Sequence, residues 1–152
     1  MSLPRPIAAI EPPTLLYLIK QVELVVRSKL DSVIADHGIT TLQYTALTVL
    51  DRHPGITAAQ LARNSFVRAQ TTAQLIASVE QRGLITRQRD PQMRRQVLLF
   101  LTPEGHRLLE ELNDPVDRIE SELLAVLSAS DARLLRSALS TIRQELGGAL
   151  TY

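Results

Sequence analysis

Arginines are concentrated in one short stretch of the chain, residues 84–102, which reads LITRQRDPQMRRQVLLFLT. Four guanidinium groups (Arg87, Arg89, Arg94 and Arg95) surround a turn-forming segment that holds a single carboxylate, Asp90. Guanidinium groups stay protonated at physiological pH, and their planar fork binds two oxygens of a phosphate at once. The cluster therefore predicts a polyanionic partner whose phosphates neutralise the arginines.

The distribution of charge along the chain supports the same interpretation. Residues 61–100 carry seven arginines against one glutamate and one aspartate, a net charge of +5. The rest of the chain must then sum to −4, because the total is only +1. A basic middle between acidic flanks favours a nucleic acid or another polyanion as partner.

A second group of polar side chains lies in RAQTTAQLIAS, residues 68–78, at spacings that share the outer face of a helix. Glutamine can pair bidentately with an adenine edge, and threonine can meet a thymine methyl group or a phosphate. We predict that Gln70, Thr71 and Gln74 contact base edges. The predicted contacts to the DNA backbone are Arg63, Arg68, Ser78, Arg87, Arg89, Arg94 and Arg95. A solvated helix face is the alternative for the helix alone, and the adjoining basic hairpin disfavours it.

Long helices are predicted at both ends of the chain. Apolar residues recur every three or four positions over residues 14–37 and again, in two helices, over residues 103–152. Residues 1–13 contain four prolines and predict an extended arm. A helix with a single apolar face needs a partner to cover it, and the periodicity alone does not identify that partner.

Residues 38–102 predict a smaller unit of three helices and a hairpin. Two Thr-x-x-Gln capping boxes, Thr40 to Gln43 and Thr57 to Gln60, open short helices. A further helix follows, with Thr72, Leu75, Ile76 and Val79 as its buried stripe. The period then becomes extended, which predicts a β-hairpin around DPQMR. The predicted fold is mainly α with a small β-hairpin wing, a winged helix-turn-helix. The second helix of the helix-turn-helix pair, which holds residues 68–78, is expected to enter the DNA major groove.

The segments TLQ at residues 41–43, ITAAQLA, GLITRQRDPQMRR and LTPEG resemble the MarR family of bacterial transcriptional regulators over residues 38–112. The resemblance implies N- and C-terminal dimerisation helices, with residues 14–36 and 104–146 forming a homodimer bridge. We therefore expect a transcriptional regulator, a repressor, that acts on a pseudo-palindromic double-stranded DNA operator. A small-molecule effector, often phenolic or anionic and aromatic, is implied as well.

The chain departs from the family pattern at two positions. The family usually places an aspartate two residues before the wing arginine that corresponds to Arg95, where this chain has Met93. Asp90 is a candidate to replace that aspartate as a brace for Arg95. Many relatives also carry arginine where this chain has Gln74, so their operator preference does not transfer.

The effector pocket implied by the resemblance lies where helix 1, helix 2 and the dimer helices meet. Tyr17, Arg27 and Tyr44 are the candidates, because an aromatic carboxylate needs stacking surface and a cationic anchor. Packing for the tyrosines and an ion pair for Arg27 are the alternative roles.

Several classes of function are disfavoured. The chain has no cysteine, which excludes disulfides and thiolate metal sites, and His37, His53 and His106 are too scattered to predict a metal site. The sequence contains no nucleotide-binding motif and no nucleophile motif, so it predicts neither an enzyme nor a cofactor. No apolar run approaches the roughly 20 residues of a membrane span, and the N-terminus does not resemble a signal peptide, so a cytoplasmic location without a membrane role is expected. A helical dimer or adaptor whose basic hairpin binds an acidic protein is the alternative function.

Overall fold

The computed structural model describes residues 11–65 and 68–147. This part of the chain has the predicted mainly α fold, in which one antiparallel hairpin stands between the fourth and the fifth α-helix. The elements are α1 (Leu15–Ile34), α2 (Thr41–Arg52), α3 (Ala58–Ser65), α4 (Ala69–Gln81), β1 (Ile85–Arg89), β2 (Val97–Leu101), α5 (Pro103–Ala125) and α6 (Ala129–Leu146). A 3-10 turn, Ala35–His37, follows α1. Residues 1–10 of the predicted arm and the last five residues of the chain lie outside the described residues.

Local side-chain chemistry sets where the helices begin. At α2, the Thr40 hydroxyl accepts a hydrogen bond from the Gln43 backbone N–H at 3.1 Å, and the Gln43 side chain accepts one from the Thr40 N–H at 2.9 Å. Thr57 and Gln60 repeat this reciprocal arrangement before α3. Thr102 caps α5, which starts at a proline. Each cap satisfies backbone donors that the first helical turn leaves without partners, so the predicted starts are correct.

The hydrophobic core lies where α1 ends and α2, α3, α4, the hairpin and α5 meet. The predicted stripe of α4 is its buried face: Thr72, Leu75, Ile76 and Val79. The opposite face of α4 is thereby turned to solvent. The largest fully buried apolar side chains of the core are Ile34, Leu47, Leu50, Leu61, Ile76, Leu99 and Leu112.

The wing is anchored to the loop that follows α2. β1 pairs with β2 from Ile85 opposite Leu101 to Arg89 opposite Val97. Leu99 also exchanges backbone hydrogen bonds of 2.9 Å with Gly55 and Ile56, which adds an isolated bridge beside β2. The sequence HPGI, residues 53–56, predicts only the end of the preceding helix. The bridge fixes the base of the hairpin against the helical unit.

The terminal helices leave much apolar surface uncovered in the single chain. α6 has no buried residue, and Leu134 and Leu146 are 70% and 82% exposed. On α1, Leu15 and Leu16 are 77% and 79% exposed. α5 continues through Pro115 to Ala125. None of the helices within the described ranges combines the length and the hydropathy needed to cross a membrane.

Candidate nucleic-acid interface

The outer face of α4 carries the predicted base-contacting side chains together. Gln70, Thr71 and Gln74 are all exposed, and they lie opposite the stripe that packs into the core. Arg68 occupies the N-cap position in an extended conformation and is exposed as well. The N-terminal half of α4 therefore presents a polar ridge, defined here as Arg68, Gln70, Thr71 and Gln74, with hydrogen-bond donors and acceptors directed to solvent.

Ser78 lies apart from this ridge, at the side of α4 that faces α2. Its hydroxyl donates to the Leu75 carbonyl at 2.7 Å and accepts from the Gln43 Nε2 at 3.0 Å. The contact between Gln43 and Ser78 spans 35 residues and joins α2 to α4. Sequence reasoning missed it because no local pattern links the two positions.

Three wing arginines are exposed cations. Arg89, Arg94 and Arg95 have no carboxylate at ion-pair distance among the described residues. Arg94 and Arg95 line an open cavity of about 360 Å³ at the wing tip, together with Met93 and Gln96. Arg63, on α3, is also exposed. Arg89, Arg94 and Arg95 thus concentrate on the wing a positive charge that no carboxylate of the described residues balances by an ion pair.

Arg87 differs from the other wing arginines. Its Nε lies 2.7 Å from the Glu80 Oε2, at the last turn of α4. The expectation that neighbours leave all of the wing arginines without a counter-charge is wrong for Arg87. The reason is that β1 runs back beside the end of α4, which brings a carboxylate seven residues away into contact.

Asp90 shapes the wing tip through the backbone. Its carboxylate accepts a hydrogen bond from the Gln92 N–H at 2.8 Å, and its own N–H donates to the Gln96 carbonyl at 3.0 Å. It makes no ion pair with Arg95 among the described residues, so the structure does not show it in the bracing role expected of it. Met93 is 59% exposed, and its carbonyl accepts from the Gln96 N–H at 2.7 Å.

The three candidate pocket residues are divided between two helices, with Tyr44 on α2 and Tyr17 and Arg27 on α1. Tyr44 borders a cavity of about 240 Å³ whose described lining is Tyr44, Thr45, Thr48, Val49 and Arg52. Burial raises the pKa of the Tyr44 phenol above its ordinary value; Arg52 opposes this shift and Asp117 adds to it. Arg52 supplies a cationic group that the sequence analysis did not select, although it lies two helical turns after Tyr44 on the same helix.

The other two candidates lie on α1. Tyr17 is 56% exposed, and Arg27 forms an ion pair with Glu23. Partial desolvation acts to raise the pKa of Glu23, but hydrogen bonds from Arg27 and Lys20 outweigh it, and the pKa is lowered overall. Arg27 therefore has the ion-pair role that was its alternative.

A larger groove of about 490 Å³ lies between α1 and α5. Lys29 and Glu122 pair across it at 2.5 Å. The remaining lining is mostly aliphatic: Gln21, Val22, Val25, Val26, Ile119 and Leu123.

Two histidines connect α5 to the rest of the fold. The His106 Nδ1 lies 3.3 Å from Asp51, and the His37 Nε2 lies 3.9 Å from Glu111. Within residues 11–65 and 68–147, no group of three or more potential ligands lies close enough together to hold a metal ion.

Known proteins are similar to this chain in sequence and in fold. The MarR family model matches residues 37–96. The organic hydroperoxide resistance transcriptional regulator of Bacillus subtilis (strain 168) is 34% identical over 109 residues, which cover 72% of this chain and 73% of that protein. The transcriptional repressor CouR, solved with a 23-mer DNA duplex, superposes with a TM-score of 0.78 and 29% identity over 86% of this chain and 93% of its own.

A further solved relative carries a small molecule. The Mycobacterium tuberculosis MarR family protein Rv2887, in complex with salicylic acid, superposes with a TM-score of 0.70 and 25% identity over 88% of this chain and 99% of its own. The sequence match to the Bacillus subtilis regulator and the shared winged helix-turn-helix geometry lead to one conclusion: this chain belongs to the MarR family of transcriptional regulators.

Proposed function

We propose that the protein is a homodimeric repressor that binds a pseudo-palindromic DNA operator. One observation carries the proposal: the same winged unit carries the polar ridge of α4 and three wing arginines, Arg89, Arg94 and Arg95, that have no carboxylate partner among the described residues. A helix of this kind fits the major groove, and each wing cation that meets a phosphate releases counterions and adds affinity. Two copies related by a twofold axis would place their recognition helices about one DNA turn apart, ~34 Å.

In this proposal the side chains have different tasks. Gln70, Thr71 and Gln74 contact base edges, because their donors and acceptors point away from the core. Exposed arginines contact phosphates and set the register without reading sequence, namely Arg63, Arg68, Arg89, Arg94 and Arg95. Arg87 contributes less, since it shares its charge with Glu80. Ser78 is assigned to the contact with α2 rather than to DNA.

The terminal helices support the dimer. α6 buries none of its residues in the single chain, although Leu134, Leu135, Leu139, Ile142 and Leu146 are exposed along it. Each Å² of apolar surface removed from water contributes about 25 cal/mol, so this stripe favours association. A second copy offers the same stripe and the groove between α1 and α5, and an isologous contact can cover both.

A competition experiment separates the proposal from an adaptor that binds an acidic protein. Duplex DNA labelled with a fluorophore is bound to the purified protein, and unlabelled duplex or poly-glutamate is then added at equal charge. The proposal predicts displacement by duplex at much lower concentration, because α4 fits a groove that poly-glutamate lacks. Equal displacement by poly-glutamate would favour the adaptor. Sedimentation equilibrium tests the dimer, and a monomer would contradict it.

We also propose that a small anionic aromatic compound binds in the Tyr44 cavity and modulates DNA binding. Arg52 would hold the carboxylate and Tyr44 would contact the ring. The complex of Rv2887 with salicylic acid supports this class of ligand. In a calorimetric titration with salicylate, Arg52→Ala should abolish the binding heat. Arg27→Ala is the matched control on α1 and should leave it unchanged, and the opposite pattern would refute the assignment.

A further inference from the structure

Arg82 links the end of α4 to the turn that follows α1. It lies directly after α4, and its guanidinium reaches back over 44 residues to donate a hydrogen bond to the Gly38 carbonyl. The Nη2 atom donates a second one to the His37 carbonyl at 3.2 Å. Gly38 adopts a left-handed conformation, with φ at +69°, which reverses the chain direction there.

The chemistry of a helix end explains why an arginine suits this position. The last carbonyls of a helix have no backbone donors left to bind, and they carry the negative end of the helix dipole. The planar guanidinium presents several N–H groups in a fixed fork, so it can serve two neighbouring carbonyls at once. With both contacts made, the Arg82 guanidinium is held at the turn after α1.

The turn at residues 37–38 also contacts a helix outside the winged unit. The His37 Nε2 lies 3.9 Å from the Glu111 carboxylate of α5. A continuous set of contacts therefore runs from α1 and α5, through this turn and Arg82, to α4. α4 is the element that carries Gln70 and Gln74, so its placement relative to α1 decides where those side chains meet DNA.

We propose that Arg82 is a positioning residue for DNA recognition. It fixes α4 relative to α1, and it thereby sets the separation of the two recognition helices in the dimer without touching a phosphate itself. This inference rests on the proposed homodimer that binds two half-sites. Gln43 with Ser78 joins α4 to α2, and Glu80 with Arg87 joins α4 to β1. Arg82 differs from both because it ties the end of α4 directly to the turn after α1.

Operators with altered spacing provide the test. One duplex carries two half-sites, chosen by selection with the wild-type protein, at the selected spacing. A second duplex has one base pair inserted between them, which rotates one half-site by roughly 35°. The Kd for each duplex is measured by fluorescence anisotropy over a series of salt concentrations for the wild type, Arg82→Met and Arg82→Lys. Thermal unfolding is followed in parallel.

We expect the wild type to prefer the selected spacing, and Arg82→Met to reduce that preference, as the ratio of the two Kd values, by about fivefold or more. Arg82→Lys keeps the positive charge and an N–H donor but lacks the guanidinium fork, so it should retain part of the spacing preference. If Arg82→Met does not fold, the spacing preference of Arg82→Lys tests the positioning role. The slope of log K against log salt should be unchanged in both, because no phosphate contact is lost.

Two results would overturn the positioning role of Arg82 but leave the proposed homodimer in place. One is a wild-type preference that survives in full in Arg82→Met, and the other is a fall in the salt slope of about 0.9 per contact, which would make Arg82 a phosphate ligand. A wild type that binds both spacings equally would instead contradict the homodimer on two half-sites, and the positioning role would fall with it.

Discussion

Replacement of Arg95 by alanine isolates the electrostatic part of DNA binding. Arg95 is exposed at the wing tip, and its loss breaks no ion pair among the described residues. Substitutions at surface positions of this kind usually change the free energy of unfolding by less than about 0.5 kcal/mol. Any effect on DNA affinity then arises in the complex rather than in the fold.

The expected size follows from counting phosphates. Each phosphate neutralised on B-DNA contributes about 0.9 to the slope of log K against log salt. A twofold dimer places two copies of Arg95 on one operator, so Arg95→Ala should reduce the slope by about 1.8. The reduction should be the same for specific and for random duplexes, because phosphate contacts carry no sequence information.

The slope is obtained from fluorescence anisotropy titrations of a labelled duplex over a salt series. Arg107→Ala is the matched control: this arginine is also exposed, but it lies on α5 and pairs with Glu104 at 2.5 Å. An unchanged slope for Arg95→Ala would refute the assignment of the wing, as would an equal fall for the control. A fall of only about 0.9 would mean that one protomer alone contacts DNA there, contrary to the twofold arrangement.

Four further predictions concern single substitutions. Gln74→Ala should remove about 1 to 3 kcal/mol of discrimination at one base pair of each half-site, measured with a panel of singly substituted duplexes, and an unaltered preference would exclude Gln74 from base contact. Glu80→Gln should steepen the salt dependence of DNA binding, since it releases the β1 arginine that Glu80 now neutralises; an unchanged slope would show that this arginine cannot reach DNA. Gly105→Ala should lower the free energy of unfolding in urea by about 1 to 3 kcal/mol, because the new methyl group would collide with the Leu84 carbonyl oxygen, and wild-type stability would contradict that close approach. Burial raises the pKa of Tyr44, so the neutral phenol contributes stability that is fully present below the unfolded pKa, about 10, and is lost as pH rises through the folded pKa. The free energy of unfolding should therefore fall less steeply with rising pH in Tyr44→Phe than in the wild type. Parallel curves for the two proteins would refute this.

Features that depend on neighbouring residues were predictable from the sequence. The capping pair of Thr40 and Gln43 starts α2 where the sequence predicts, because both of its hydrogen bonds are made within one helical turn. The buried stripe of α4 was predictable because a helix repeats every 3.6 residues, and that same periodicity places Gln70 and Gln74 on the exposed face. The hairpin followed from the change of period between Gly83 and Thr102.

Features that depend on packing between distant segments were not predictable. No pattern in the sequence indicates that Arg87 meets Glu80 or that Arg82 reaches Gly38, since each contact needs the angle at which one element crosses another. The bridge from Ile56 to Leu99 is of the same kind.

The side chains that line one cavity also depend on packing between helices, which the sequence does not reveal. Residue types suggested that Tyr17 and Arg27 on α1 join Tyr44, yet the rotation of a helix about its axis decides which side chains face one cavity. In the structure, Arg27 turns to Glu23 on its own helix. Arg52 borders the Tyr44 cavity, because both residues lie on one side of α2, and the roles of Tyr17 and Arg27 in a pocket stay predictions.

Selection of duplexes from a random pool by the purified protein, followed by sequencing, tests the central claim most directly. A homodimer on two half-sites should select a palindromic consensus whose half-sites are centred about 10 base pairs apart, with the strongest information where α4 enters the major groove. A consensus with a single half-site, or a retained pool that is no different from the starting one, would contradict it.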